Sequence, residues 1–251
     1  MPYFFSEQPL RAGESITLAG AEARHLLQAR RARPGERFAL QDPTGNRFEA
    51  ELESFRNGKA AFRVLEPLPV PALPALKLTL AQAAVKAKAT EWIIQKATEV
   101  GVAAIAFFPA ENSIVPAREL RDAQSKGRWE RIAWEACKQS DRRFPPELQL
   151  LPGLEAVLAA RPAGEAAWLF HPIGGLAPGA VTPAIPSTAK PSSGLALVGP
   201  EGGFSETETA LAERAGCIPV RLGEQILRAE TAALVACGLL LFGGLGNREP
   251  G

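Results

Sequence analysis

Leu195-Ala-Leu-Val-Gly-Pro-Glu-Gly-Gly-Phe-Ser-Glu-Thr-Glu208 decides how this chain folds. A short apolar strand runs into a Gly/Pro-rich turn, and Ser205 with Glu208 three residues on is a capping box that opens a helix. An apolar strand feeding a helix through such a turn is the repeating unit of a parallel sheet covered on both faces. Ligands of these sheets bind in the crevice at the carboxyl ends of the strands. The turn carries neither nucleotide fingerprint. No Lys follows its glycines as a Walker loop requires, and Gly199, Gly202 and Gly203 lack the GxGxxG spacing. Glu201 would also repel a pyrophosphate. The turn suits a ligand with little negative charge, or is a tight turn with no ligand at all.

Working outward, Val220–Ala233 repeats the pattern, with Gly223 in a turn between a strand and a helix. Glu230 at that helix start complements the helix dipole, whereas Arg228 at the same end is electrostatically out of place and so has a task. Two such turns from one sheet can form one pocket. Strands are expected at 76–82, 103–109, 166–170, 195–198 and 217–222, and helices at 86–100, 118–140, 205–215 and 229–242. A Pro/Gly-rich break at 171–194 reads as a lid or an insertion. Four prolines in Glu66–Ala75 mark a stiff extended linker. Before it lie strands at 36–41, 46–55 and 59–65, joined by Asp42-Pro-Thr-Gly45 and by the hairpin dipeptide Asn57-Gly58. One helix, 20–31, interrupts them. The chain therefore divides at the linker into 1–70, a small barrel or curled sheet, and 71–251, an α/β domain with helices on both faces.

The 251 residues are 46% hydrophobic and 22% charged, which excludes a disordered chain, a collagen repeat and a disulfide scaffold. Cys137, Cys217 and Cys237 form no CxxC, so neither a zinc site nor a disulfide framework is expected, and a reduced, cytoplasmic compartment is. The first ten residues hold Glu7 and no signal-peptide core. The apolar uncharged run Thr231–Asn247 is shorter than the roughly 20 residues of a membrane span. A soluble protein with no membrane partner follows.

Net charge is only +1, but its distribution points to a partner. Residues 24–37 carry five Arg against Glu36, with His25 among them. Residues 118–143 carry eight basic and five acidic side chains, while 201–230 carry six acidic against three Arg. Basic patches beside a less basic pocket suit an enzyme acting on nucleic acid. A solvated helix face is the alternative for 118–143.

Leu197-Val-Gly-Pro-Glu-Gly-Gly-Phe-Ser205, Leu222-Gly-Glu-Gln-Ile-Leu-Arg-Ala-Glu-Thr-Ala232 and Trp92-Ile-Ile-Gln-Lys-Ala-Thr-Glu-Val-Gly101 resemble the ribosomal RNA small-subunit methyltransferase E family. So do Arg128–Ser140 with Arg142, and His25-Leu26 with Arg30. That family belongs to the SPOUT superfamily and methylates N3 of a uridine in small-subunit (16S) rRNA from S-adenosylmethionine. The resemblance implies a PUA-like N-terminal β-barrel, a C-terminal parallel sheet with a trefoil knot, and a homodimer. It implies a cofactor held by Phe170, His171, Val198, Gly199, Pro200, Glu201, Gly202, Leu222, Gly223, Ile226 and Leu227. Arg228 and Glu230 are then the catalytic candidates. RNA falls to Arg24, His25, Arg30, Arg31, Arg142 and Arg143, as naked rRNA or an assembled small subunit. No metal is implied. Ala229 stands where the family usually has Thr, Asn112-Ser113 where Arg-Ser is common, and Pro2–Phe5 lacks an Arg often found before its aromatic pair.

N3 of uracil is a weakly acidic imide, so its proton must be removed or its anion stabilised. Arg228 suits stabilisation, and Glu230 suits orientation of Arg228 or the role of base. Methylation at C5 would call for a Cys nucleophile, and the three cysteines fall inside predicted helices or a strand. Two rival readings remain, an RNA-binding protein with a non-catalytic pocket and a knotted ribose 2′-O-methyltransferase.

Overall fold

The structure is a computed structural model that describes residues 3–28, 31–120, 123–171 and 191–243. It divides into two compact units, Met1–Leu73 with Cys137–Phe144, and Pro74–Ala136 with Pro145–Gly251.

The first unit holds β1 (Tyr3–Phe5), β2 (Ser15–Leu18), α1 (Gly20–Gln28), β3 (Arg37–Gln41), β4 (Arg47–Arg56) and β5 (Lys59–Leu68). The sheet runs β1-β3-β4-β5-β2, with β1 parallel to β3 and the other pairs antiparallel. Register shifts at Phe48/Ala50 and Leu52/Ser54 bulge β4 and curl the sheet. Asn57 (φ 51°) and Gly58 (φ 72°) are both left-handed, which a tight two-residue hairpin turn demands. Inside the curl, Phe4, Leu26, Leu40, Leu52 and Phe62 form the core. The segment 137–144 is fastened by polar groups. The Tyr3 hydroxyl donates to Arg142 O at 2.7 Å, and Gln41 Nε2 donates to Arg143 O at 2.7 Å. The buried Arg47 guanidinium donates to Gln41 Oε1 at 2.8 Å and to Asp141 O at 2.9 Å, and pairs with the Asp141 carboxylate.

The second unit holds β6 (Lys77–Ala83), α2 (Ala87–Val100), β7 (Ala104–Phe108), α3 (Ala117–Leu120), the start of α4 (Ala123–Gln139), β8 (Glu147–Leu150) and α5 (Leu154–Ala160). It continues through β9 (Ala166–Phe170), β10 (Ser193–Val198), α6 (Glu206–Arg214), β11 (Ile218–Val220) and α7 (Ala229–Phe242). All six strands are parallel, in the order β11-β9-β10-β6-β7-β8. Alternate residues bury on opposite faces. Leu78, Leu80, Ile105, Phe107, Trp168 and Val198 join a core with α2 and α7, while Ala81, Phe108, Leu169, Leu195 and Leu197 join one with α5 and α6. That is the α/β architecture expected from the strand and helix alternation. Among the described residues no helix is long and apolar enough to cross a membrane.

Several expectations shift. Strand β5 continues to Leu68, through Pro67, which sits opposite Phe48 beside a register shift where a missing N–H costs least. Helix α1 ends at Gln28, and Arg31 takes a left-handed φ of 49°, so the helix does not reach 31. The helix expected over 118–140 appears as α3 and α4, with 121–122 between them outside the described residues. Strands β1, β2 and β8 and helix α5 were not expected; each is seven residues or fewer. Most of the 171–194 break, residues 172–190, lies outside the described residues, and with it the chain's path from β9 to β10.

Candidate active site

Because the strands are parallel, β9, β10 and β11 end at the same edge, and the chain leaves each end into a turn. His171 N donates to Val220 O at 3.0 Å, locking the end of β9 to that of β11. Between the turns lies a cavity of about 970 Å³. Of the residues expected to hold a cofactor, Phe170, His171, Val198, Gly199, Pro200, Glu201, Leu222, Gly223, Ile226 and Leu227 line it. So do Arg228 and Glu230, the catalytic candidates. Gly202 does not line it.

The Gly-rich turn is held from three sides. Gln82, fully buried at the end of β6, donates its Nε2 to Gly199 O and to Ala83 O, both at 3.0 Å. The backbone N–H of Lys86 lies 3.5 Å from Glu201 Oε1, on the side of α2. Behind the turn, Asn112 Nδ2 lies 3.3 Å from Gly203 O. The capping box is formed, with Glu208 N donating to Ser205 Oγ at 3.1 Å and Ser205 N to Glu208 Oε2 at 2.9 Å. The other Glu208 oxygen accepts from Glu111 N at 2.9 Å.

The glycines have different reasons. Gly203 has φ 72°, a left-handed conformation. A Cβ on Gly202 would lie 2.9 Å from Asn112 Cβ and 3.1 Å from its carbonyl oxygen, and one on Gly199 would lie 3.3 Å from Phe204. At 199 and 202, then, what an added side chain would meet is the protein itself. Gly223 differs, because a Cβ there finds only Gln225 Oε1, at 3.9 Å, and its φ is not left-handed.

Helix α2 adds Lys86, Lys88, Ala89 and Trp92 to the lining, which sequence reasoning missed. The signal was available: α2 follows the end of β6, at the same sheet edge as the two turns. Gln82 was missed as well. Its signal is a polar residue in the register of Leu78 and Leu80, both fully buried. Arg228 is exposed, and its carbonyl accepts the Ala232 N–H at 2.8 Å, so its backbone starts α7 while its side chain is left for other work. Glu230, in the first turn, is half-buried.

The cysteines stand apart. All three are buried and none lines the cavity. Burial pushes the Cys137 thiol up to about 11 and the Cys237 thiol up to about 12. Among the described residues no cluster of three or more His, Cys, Asp or Glu side chains could hold a metal.

In the first unit Arg24, His25 and Arg31 are exposed. The His25 ring meets Phe4 edge to face at 5.6 Å. Arg30 lies outside the described residues. Arg142 and Arg143 are half-buried instead. Desolvation holds the Arg142 guanidinium below its ordinary pKa, and Arg143 Nε donates to Gly45 O at 3.2 Å.

Residues 72–241 match the family described as RNA methyltransferase domain. The chain is 32% identical over 232 residues to Ribosomal RNA small subunit methyltransferase E of Mycobacterium bovis, covering 90% of this chain and 86% of that one. The protein of the same name from Bacillus subtilis is 28% identical over 244 residues, covering 94% and 93%. A solved structure of the Neisseria gonorrhoeae protein of that name, bound to S-adenosyl methionine, superposes with a TM-score of 0.81 at 30% identity, covering 96% of each chain. Likeness at this identity along both units, with the two glycine turns in the matched span, places the sequence: the chain belongs to the ribosomal RNA small subunit methyltransferase E family of RNA methyltransferases.

Proposed function

We propose that this protein transfers a methyl group from S-adenosylmethionine to N3 of a specific uridine in small-subunit (16S) ribosomal RNA. The observation that carries the reading is the convergence of two strand-to-helix turns on one cavity, with Arg228 and Glu230 in its lining.

The residues present fit the cofactor. Phe170, Val198, Leu222 and Ile226 offer apolar surface to a purine ring, within a volume ordinary for a ligand site. The carboxylates of Glu201 and Glu230 favour a cationic sulfonium. Neither backbone conformation nor packing requires a glycine at 223, whereas a ligand pressed on the backbone does.

Bound there, S-adenosylmethionine supplies an electrophilic methyl group. The protein's own residues deal with the uracil. Arg228 presents a planar guanidinium to the carbonyl oxygens beside N3, where negative charge develops as the proton leaves. Glu230, two residues on, orients that guanidinium or takes the N3 proton. With all three thiols buried outside the lining, covalent attack that would prepare C5 has no nucleophile.

The exposed Arg24, His25 and Arg31, with Arg30, take the RNA backbone; Arg142 and Arg143 serve the first unit's own packing in addition to any RNA contact. A knotted C-terminal sheet, a homodimer and a cytoplasmic location complete the reading. The decisive experiment supplies S-adenosylmethionine with 16S rRNA or small subunits and analyses the nucleosides by mass spectrometry. 3-Methyluridine is expected. A ribose-methylated uridine, or cofactor binding without product, would replace the reading with one of its two rivals.

A further inference from the structure

Lys86 and Lys88 stand on the rim of the cavity, at the start of α2, and both are exposed. Elsewhere in the same unit cations hold carboxylates: Lys96 bonds Glu99 at 2.8 Å, Arg128 bonds Glu91 at 2.7 Å, and Arg221 lies 3.0 Å from Glu224. Neither Lys86 nor Lys88 has an ion pair among the described residues. The carboxylate beside them, Glu201, faces the Lys86 backbone N–H rather than an ammonium. Two unneutralised ammonium groups, two residues apart, therefore border a cavity whose walls are largely apolar.

We propose that Lys86 and Lys88 seat a phosphate of the RNA strand next to the target nucleotide, and so hold the base in the cavity. The inference rests on the methyltransferase reading above. A base methylated in a cavity must leave its stack, and the strand must then be gripped by its backbone close to the base. Ammonium groups bind phosphate as point charges, without demanding a particular base. These two are at the mouth, where a polymer reaches; a ligand enclosed deeper would need no exposed lysine. Arg228 shares the rim, but its planar fork is assigned to the base, leaving the phosphate to the lysines.

The test is the Lys86→Gln/Lys88→Gln double variant and the Lys86→Arg/Lys88→Arg control, each compared with the parent protein. RNA binding is measured by fluorescence anisotropy on a short 16S fragment across a salt series, and S-adenosylmethionine binding by calorimetry. The Gln variant should keep cofactor affinity within about twofold and raise the RNA Kd at least tenfold. It should also flatten the salt dependence by about 0.7 per lost phosphate contact. The Arg control should retain the parental salt slope. An unchanged slope and Kd would show two solvated lysines and overturn the inference. Weakened cofactor binding with unchanged RNA binding would overturn it too, assigning the lysines to the cofactor carboxylate. If the parent itself binds neither RNA nor S-adenosylmethionine, the methyltransferase reading fails instead.

Discussion

The side-chain amide of Gln82 donates to the carbonyl oxygen of Gly199 across 3.0 Å, joining the end of β6 to the turn that follows β10. Gln82 is fully buried, and its Oε1 finds no hydrogen-bond partner among the described residues. A core-facing amide with one end unpaired is costly, so its value lies in the turn it pins.

Replacing Gln82 by Leu removes that pin while keeping the volume. The Gly199 carbonyl then loses its buried donor, which costs about 1–3 kcal/mol, partly offset by removal of the orphaned Oε1. Urea denaturation should show a net loss of about 1 kcal/mol, and calorimetry a roughly tenfold weaker S-adenosylmethionine affinity. Parental values in both would mean the turn keeps its shape unaided.

Gly202→Ala and Gly223→Ala should separate stability from binding. At 202 the new methyl meets Asn112 backbone at 3.1 Å, so the two loops must part, at a cost of about 1–3 kcal/mol. At 223 it meets nothing closer than 3.9 Å, so the melting temperature should hold or rise slightly while cofactor affinity falls. The reverse pattern, a destabilised Gly223→Ala with parental affinity, would remove Gly223 from the ligand site.

Arg228→Ala should lower single-turnover methylation by about a hundredfold or more, the scale for losing one oriented electrostatic contact. RNA affinity should change little, since many phosphate contacts remain. Arg228→Lys should recover part of the rate, because a point charge does not reproduce a planar fork. A near-parental rate for the Ala variant would shift the catalytic assignment to Glu230.

The buried thiols set an alkaline limit. Cys137 and Cys237 ionise in the folded state at about 11 and about 12, above their ordinary 9.0. A raised folded pKa stabilises fully below pH 9 and is lost as pH climbs toward 11 and 12. The thiol contribution to urea midpoints should therefore be flat from pH 7 to about 9 and fall beyond it, with less fall in a Cys137→Ala variant. Iodoacetamide at pH 8 should label these thiols only as fast as the protein opens. Rapid labelling of Cys137 in the native state would contradict its burial.

Local chemistry determined much of this protein. The capping box at Ser205 and Glu208, the Asn57-Gly58 turn, the period-two apolar strands and helix α7 each depend on residues within a few positions of one another, and sequence displays those directly. The two glycine turns marked the site for the same reason. Strands β1, β2 and β8 were hidden because short segments gain their stability from the neighbour they pair with, which periodicity cannot name. Only the tertiary structure set the order β11-β9-β10-β6-β7-β8, which puts the ends of β9, β10 and β11 side by side. It alone brought Gln82 to Gly199, 117 positions away, and Lys86 to the rim of the cavity. It also gave Gly202 and Gly223, alike in sequence, different surroundings: Asn112 packs against one, while an added Cβ on the other would meet only Gln225 Oε1, at 3.9 Å. Contacts of that kind depend on which chain segments meet, and sheet order and packing on both faces decide that.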